Sequence, residues 1–232
     1  MTISKPYIIF NDLGLVPYRS TWDYQEKLYS KLMSQKLAGE KTFPGYLLFC
    51  EHTPVFTLGK SGSVENLLIN EEMLAQKGIE FFHINRGGDI TFHGPGQIVG
   101  YPILDLEQLS LGIREYIWKL EESVILVLKV YGISAGRLSG ATGVWLDPEK
   151  QSLARKICAI GVKAGRHITM HGFAFNVNMD LSYYQYINPC GFVDKGITSM
   201  EKELGMVQDF GKVKELLKRS LAKSLKIHYQ DI

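Results

Sequence analysis

The sequence has few cysteines, no long apolar run and almost no excess of charge of one sign. Its three cysteines include no CxxC pair, which argues against a disulfide framework and fits a reducing compartment. No stretch approaches the roughly 20 apolar residues of a membrane-spanning helix. The 26 basic and 24 acidic residues leave a net charge of +2, which creates no strong field for nucleic acid or an anionic membrane. We therefore expect a cytoplasmic protein that binds neither nucleic acid nor membranes.

Signatures of metal and nucleotide binding are also missing. The cysteines and histidines are too scattered along the chain to match a zinc site. The glycine-rich stretch RGGDITFHGPGQ, residues 86–97, is followed by no GK[ST] and contains no GxGxxG. The sequence therefore predicts no metal and no other cofactor.

Apolar periodicity predicts a mixture of helices and strands. Helical spacing of apolar residues indicates helices over residues 19–38, 112–131 and 209–226. Short apolar runs indicate strands at 45–52, 55–59, 79–86 and 141–147, a strand, loop and strand over 89–106, and a hairpin over 155–178. This order favours an α+β fold, a mixed β-sheet covered by helices on one side. We predict a single domain over residues 1–232, with residues 206–232 a C-terminal helix packed on it.

The stretch INPCGF, residues 187–192, places Cys190 between a proline and a glycine. Proline fixes its own φ and glycine tolerates almost any φ, so this stretch indicates a tight turn. A structural cysteine usually lies in a strand or helix as a small hydrophobe, whereas a cysteine at a loop tip can present its sulfur to a cleft. From these residues alone Cys190 is a nucleophile, a metal ligand or part of an ordinary turn.

The segment RKICAIGVK places Lys156 among apolar residues. If residues 153–163 form a strand, alternation puts Lys156, Cys158 and Ile160 on one face. A lysine on an apolar face is costly unless it has a partner or a function, although a snorkelling side chain at a strand edge is an alternative. Because a nearby ammonium group lowers the pKa of a thiol, a lysine and a cysteine together suit catalysis near neutral pH.

The glycine-rich stretch 86–97 is the densest cluster of glycines and polar groups in the chain. Gly87 and Gly88 have no Cβ to keep the backbone away from a ligand, and the HGPG turn can hold His93 at the edge of a cleft. A glycine-rich hairpin with a buried histidine is the alternative. His171, taken alone, is likewise more typical of a structural histidine than of a ligand.

Four stretches, taken in order, resemble the lipoyl(octanoyl) transferases of lipoate biosynthesis. They are HTPVFTLG, RGGDITFHGPGQIVGYPILDL, KICAIGVK and HGFAFNVNMDLSYYQYINPCGF. The similarity extends over most of the chain, and the two long stretches are together highly specific. It implies the α+β fold of the biotin and lipoate protein ligases and an octanoyl-[acyl carrier protein]:protein N-octanoyltransferase activity.

The resemblance also implies a mechanism and a set of partners. An octanoyl group leaves octanoyl-acyl carrier protein, is held as a thioester on Cys190, and passes to a lysine ε-amine, with Lys156 as the catalytic partner of the cysteine. The implied acceptors are the lipoyl domains of 2-oxoacid dehydrogenase E2 subunits and the glycine cleavage H protein, and the implied state is a monomer. The acyl chain is expected to lie along Arg86, Gly87, Gly88, Asp89, Ile90, Thr91, Phe92, His93, Ala159, Ile160, Gly161, Gly172, Phe173 and Ala174.

A basic docking face for the acidic carrier is a further expectation. Five basic residues of the last predicted helix are candidates: Lys212, Lys214, Lys218, Arg219 and Lys223. An ordinary solvated helix face is the alternative interpretation of these lysines. The N-terminal residues lack an Arg-rich amphipathic leader, which favours the bacterial cytoplasm over the mitochondrial matrix.

Three other functions compete with octanoyl transfer. An ATP-dependent lipoate or biotin ligase would activate the free acid as an adenylate and would need no cysteine. A cysteine hydrolase using Cys190 with His171 or His93 would release free octanoate. A carrier-binding module without activity would form no adduct on Cys190. The position of Cys190 in its loop, and RGGD instead of a more basic glycine loop, favour the transferase over the ligase.

Overall fold

The fold is described for residues 6–40, 45–150, 152–189 and 195–231 of a computed structural model. The described strands are β1 (Tyr7–Val16), β2 (Gly45–His52), β3 (Val55–Leu58), β4 (Glu80–His83), β5 (Ile90–His93), β6 (Gln97–Leu104), β7 (Gly136–Leu138), β8 (Ala141–Leu146), β9 (Arg155–Gly165), β10 (Ile168–Asn176), β11 (Gly196–Ile197) and β12 (His228–Asp231). The described α-helices are α1 (Tyr18–Leu37), α2 (Glu71–Gln76), α3 (Ile113–Val130), α4 (Met200–Leu204) and α5 (Phe210–Leu225).

Two sheets organise these elements. The larger has the order β12–β1–β2–β6–β10–β9–β8–β7, with β11 paired to β9. Strand β1 runs parallel to both β2 and β12, and the neighbours from β2 through β7 run antiparallel. The smaller sheet has the order β4–β3–β5, parallel on one side of β3 and antiparallel on the other. The predicted α+β class with a mixed sheet is confirmed.

Helices cover both faces of the large sheet. Helices α3 and α5 share one core with it, to which they contribute Leu120, Val124 and Leu217. Helix α1 packs on the other face, where Leu28 and Leu32 meet strands β2 and β6. The prediction that helices cover only one side of the sheet is therefore wrong. Strand β2 is largely apolar and is buried on both faces, so helices must cover each face of the sheet.

The three long helices begin and end within one residue of their predicted bounds. Strand β1 was not predicted, because its middle reads Asn-Asp-Leu-Gly, a run typical of turns. The structure accommodates this run with an irregular register between Asp12 and Leu15, and Gly14 adopts a φ of +65°. Strand β3 lies in the smaller sheet, whereas β2, which precedes it directly in the chain, lies in the larger one. In the described part of the chain, no helix combines the length and the apolar character that a membrane crossing requires.

Candidate active site

A cavity of about 370 Å³ lies between the segment that leads into β5 and the α1-covered face of the large sheet. This volume falls in the range of small-molecule sites. One wall is a row of small side chains on adjacent strands: Ala159 pairs with Ala174, and Ala174 with Val99. Two positions further along β9 and β10, Gly161 pairs with Gly172. The cavity exists because the short side chains of Ala159 and Ala174 leave space above the sheet unfilled.

Lys156 lies in the wall of this cavity. Its exposed fraction is 8%, far below that of a lysine extended into solvent, and its Nζ lies 4.7 Å from the ring centroid of Trp145. Gly143 lies beside the aliphatic stem with a φ of +125°, and a Cβ there would come within 2.5 Å of the Cys158 carbonyl oxygen. Only glycine fits at this position, and its lack of a side chain leaves room for the lysine.

A bulge in β9 aims Lys156 at the cavity. Cys158 pairs with Val144 of β8. The next register pair joins Lys156 to Trp145, so that Ile157 is an extra residue on β9. The side chains of Cys158 and Ile157 both pack in the core on the opposite side of the sheet. The predicted grouping of Lys156 with Cys158 on one face is therefore wrong, because strict alternation does not hold across a bulge.

Cys190 lies outside the described residues, in the segment 190–194. Described residues on both sides of this segment line the cavity: Pro189, directly before Cys190, and Ile197, which follows Lys195 and Gly196. Ile197 is also the register partner of Lys156, because β11 runs parallel to β9. The chain on each side of the cysteine segment thus borders the cavity that holds Lys156.

The Arg-Gly-Gly stretch is held against β9. The buried guanidinium of Arg86 donates from Nη2 to the backbone oxygen of Thr57 at 2.6 Å and from Nη1 to the Gly87 oxygen at 3.0 Å. The Gly87 N–H donates to the Val162 oxygen at 3.0 Å, and a Cβ on Gly161 would lie 2.7 Å from the Gly87 oxygen. Gly87 therefore lets the backbone of this stretch lie close to β9, whereas Gly88 lines the cavity.

Most of the residues predicted to bind an acyl chain line the cavity. They are Arg86, Gly88, Asp89, Ile90, Thr91, His93, Ala159, Ile160, Gly161, Gly172, Phe173 and Ala174. Gly87 and Phe92 do not line it. Phe92 stacks on Tyr183 with ring centroids 4.3 Å apart, in the core of the smaller sheet, because alternation along β5 turns it away from Thr91. The acyl-binding role of all these residues is a prediction.

Several cavity residues escaped sequence reasoning. They include Tyr18, Tyr101, Gly140, Thr142, Asn176 and Tyr184. Tyr18 is the first residue of α1 and stacks nearly parallel to His93, with ring centroids 6.0 Å apart. Tertiary packing brings it there from a distant part of the chain, so no local pattern reveals it.

Three histidines at or near the cavity are uncharged near neutral pH. Burial lowers the pKa of His93 to about 3, that of His171 to about 3 and that of His52 to about 4. His93 Nδ1 lies 2.9 Å from the Gln97 Oε1, and His171 Nε2 lies 2.8 Å from the Asn85 Oδ1. A base with a pKa near 3 is poorly matched to taking a proton from a thiol at neutral pH. These values argue against the cysteine hydrolase with a histidine base.

We expect the free energy of unfolding to fall as the pH drops from 7 to 5. In the unfolded chain these histidines take up protons below about pH 6.5, whereas the folded protein keeps them neutral to about pH 4. The unfolded state therefore binds more protons, which costs up to about 2 kcal/mol of stability per histidine over this interval. Urea unfolding at pH 7, 6 and 5 measures the effect.

Two variants test the source of this pH dependence. His52→Gln removes one of the three groups and is expected to reduce the slope by about a third. His83→Gln changes an exposed histidine and serves as the control, with an unchanged slope expected. A free energy of unfolding that stays constant from pH 7 to 5 in the wild type contradicts the burial of neutral histidines.

Helix α5, which carries the predicted docking lysines, packs with α3 on the face of the large sheet opposite the cavity. Its buried side chains, Val213, Leu217, Leu221 and Leu225, all join that opposite core. This location gives no support to α5 as the face on which a carrier docks to deliver an acyl group. In the described part of the chain, no group of three His, Cys, Asp or Glu side chains is arranged to hold a metal ion.

Comparison with known proteins gives a family match and close relatives. Residues 17–222 match the family described as the lipoyl protein ligase A/B catalytic domain. An octanoyltransferase of Parabacteroides distasonis is 56% identical over 209 residues, 90% of this chain and 94% of that protein. Octanoyltransferases of Bacteroides fragilis and Cytophaga hutchinsonii are 52% and 47% identical over 217 and 231 residues. These matches cover 94% and 97% of this chain, and 97% and 95% of those proteins.

Solved structures share the fold. A lipoate-protein ligase A bound with ATP superposes with a TM-score of 0.71 at 16% identity, covering 98% of this chain and 88% of that one. A putative lipoate protein ligase from T. acidophilum gives 0.70 at 15% identity, with the same two coverages. A biotin protein ligase from Aquifex aeolicus gives 0.53 at 13% identity, covering 95% and 70%. At these identities the likeness concerns the fold alone, and it confirms the predicted resemblance to the biotin and lipoate protein ligases.

Proposed function

The chain belongs to the octanoyltransferase family of lipoyl protein ligase A/B catalytic domains, and we propose that it transfers an octanoyl group from octanoyl-acyl carrier protein to lysine ε-amines of lipoyl domains. The proposed acceptors are the lipoyl domains of 2-oxoacid dehydrogenase E2 subunits and the glycine cleavage H protein. One observation carries the proposal beyond the family: the cavity with a wall of small residues contains Lys156 and is bordered by Pro189 and Ile197, which lie on the two sides of the Cys190 segment.

In the first proposed step, the Cys190 thiolate attacks the carbonyl carbon of the carrier thioester. A bond forms between Sγ and that carbon, and the bond from the carbon to the sulfur of the carrier breaks. The departing sulfur takes a proton from the Lys156 ammonium. The same positive charge near Cys190 favours its thiolate, which is the reactive form of a cysteine.

In the second proposed step, the amine of the target lysine attacks the thioester on Cys190. A carbon–nitrogen bond forms, the bond to Sγ breaks, and the attacking amine gives its proton to the now neutral Lys156. The ammonium form of Lys156 is thereby restored, next to the Cys190 thiolate, for another cycle. Two steps of lower barrier replace one direct transfer, which is the advantage of covalent catalysis.

The acyl chain binds, in this proposal, along the wall of small residues. Each buried methylene contributes roughly 0.8 kcal/mol, so an eight-carbon chain needs no polar contact to be held. Ala174 lies in the middle of this wall, between Ala159 and Val99, and is buried.

Ala174→Leu is expected to shift the preferred chain length. The larger side chain occupies the space of about three carbons, so kcat/KM for octanoyl transfer falls by roughly 50-fold. Transfer of a pentanoyl group, which does not need that space, is largely retained. The measurement compares kcat/KM for octanoyl- and pentanoyl-acyl carrier protein in wild type and variant.

Ala164→Leu is the matched control, because Ala164 lies in the neighbouring strand β9 and is exposed. It should change neither rate. An Ala174→Leu variant that keeps the wild-type ratio of octanoyl to pentanoyl transfer would contradict acyl binding in this cavity.

The proposed function is tested by mixing the protein with octanoyl-acyl carrier protein and a purified lipoyl domain, without ATP. The expected result is a lipoyl domain heavier by one octanoyl group on a lysine. Modification that requires ATP and uses free octanoate would establish a ligase instead. Release of free octanoate without an acceptor would establish a hydrolase.

We also propose that residues 1–232 act as one catalytic domain. Its support is that α5 contributes Val213 and Leu217 to the same core as α3 and the large sheet. The monomeric state and the cytoplasmic location stay predictions.

A further inference from the structure

Arg155 lies next to Lys156 in β9 and binds two carboxylates. Its Nε and Nη2 donate to the two side-chain oxygens of Glu203, each at 2.6 Å, and its Nη1 donates to the Asp147 Oδ2 at 2.5 Å. Bidentate contacts of this kind fix geometry as well as adding energy. The hydrogen bonds from Arg155 hold the pKa of Glu203 and that of Asp147 below their ordinary values, so both carboxylates are charged at neutral pH.

The same network reaches the chain that follows the cysteine segment. Thr198, which is fully buried, donates from Oγ1 to the Glu203 Oε1 at 2.5 Å. The Thr198 N–H donates to the Lys156 carbonyl at 3.0 Å, and the Asn176 side chain donates to the Thr198 carbonyl at 2.9 Å. Glu203 therefore joins Arg155 to the residues directly after β11.

Strand β11 makes only a short pairing with β9. It is two residues long, Gly196 and Ile197, which pair with Arg155 and Lys156. Besides the strand pairing itself, the Gly196 N–H donates to the Ala154 oxygen and the Thr198 N–H donates to the Lys156 oxygen. A strand this short is marginal, so the link from Arg155 through Glu203 to Thr198 adds to its attachment to β9.

We propose that Arg155 and Glu203 are positioning residues for the transfer reaction. They hold β11 against β9 and so fix where the chain emerging from residues 190–194 lies relative to Lys156. This inference rests on the proposed function, because it assigns the network a role toward the pair of Cys190 and Lys156. Neither residue lines the cavity or touches the reacting groups among the described residues, and each acts through backbone that does.

Arg155→Met and Glu203→Gln test the inference with two readouts. Displacing a catalytic group by about 1 Å can reduce a rate by roughly 100-fold, so we expect kcat for octanoyl transfer to fall by at least about tenfold while KM stays within about threefold. The second readout is the rate of Cys190 alkylation by iodoacetamide between pH 5 and 9. We expect slower alkylation at pH 7 and a midpoint moved to higher pH, because the thiol has lost the nearby ammonium.

The alkylation readout has a low background and does not depend on the transfer assay. Cys50 and Cys158 are buried, and burial raises the pKa of each thiol well above its usual value, so both should react slowly with iodoacetamide. Peptide mapping then shows whether the fast alkylation occurs on Cys190. A failure of the wild type to transfer octanoate would remove the proposed function. The alkylation midpoint would still report whether the network positions Cys190 near a cation.

Controls separate positioning from simple loss of stability. Arg219→Met removes an exposed ion pair with Glu215 on α5, on the far face of the sheet, and should change neither readout. Glu203→Gln keeps the size of the side chain and a hydrogen-bond acceptor for Thr198, so it remains informative where Arg155→Met fails to fold. Variants that lower the melting temperature but leave kcat and the alkylation midpoint at wild-type values would overturn the inference.

Discussion

Cys190→Ala is expected to abolish octanoyl transfer, lowering the single-turnover rate by roughly 10⁴-fold or more. The alanine removes the proposed nucleophile, so neither the thioester nor the product amide forms by the two-step route. Cys190→Ser is expected to be almost as inactive, because a hydroxyl is far harder to ionise than a thiol. The measurement follows transfer from octanoyl-acyl carrier protein to a lipoyl domain by mass spectrometry.

Cys158→Ala is the matched control for this prediction. Cys158 is fully buried in the core on the face of the sheet opposite the cavity. Its replacement is expected to cost stability but to leave the transfer rate within about threefold of wild type, because its sulfur faces away from the cavity. Full activity in Cys190→Ala would mean that the nucleophile lies elsewhere.

Lys156→Met is expected to lower the transfer rate by roughly 10³-fold, the size typical of a lost general acid and base. Methionine has nearly the length of lysine and suits the buried site beside Trp145, so the fold should persist. The reaction loses both the proton carrier and the positive charge near the thiol. Single-turnover kinetics, together with a melting temperature close to wild type, check this result.

Lys156→Arg separates charge from proton transfer. An arginine keeps the positive charge but does not give up its proton, so the rate should stay low. Lys163→Met is the control in the same strand, since the Lys163 Nζ stacks over Tyr29, 4.8 Å from its ring centroid. An active Lys156→Met, or a larger loss in Lys163→Met, would contradict the assignment of Lys156.

The sequence predicts the regular parts of this fold well and its irregular parts poorly. The helices α1, α3 and α5 follow from apolar periodicity, because each buries one stripe. Strands β1 and β12 do not follow. The first contains turn residues accommodated by an irregular register, and the second is a polar stretch of four residues that pairs with β1. Both depend on partners far away in the chain.

The candidate site likewise has features that the sequence predicts and features that it does not. Lys156 and the glycine-rich stretch carry local patterns, and both lie where the cavity forms. The bulge at Ile157 has no such pattern, yet it decides which way Lys156 points. Tyr18 and the link between Arg155 and Glu203 arise from tertiary contacts between residues remote in sequence. The loop pattern singles out Cys190, but its role as the nucleophile comes from the family resemblance and stays a prediction, because the residue lies outside the described residues.

Intact-protein mass spectrometry after mixing the protein with octanoyl-acyl carrier protein, without ATP, tests the covalent mechanism most directly. The mechanism predicts a gain of one octanoyl group that maps to Cys190, is labile to hydroxylamine, and disappears when a lipoyl domain is added. An unmodified protein in the absence of acceptor, or a stable adduct on another residue, would contradict a thioester on Cys190.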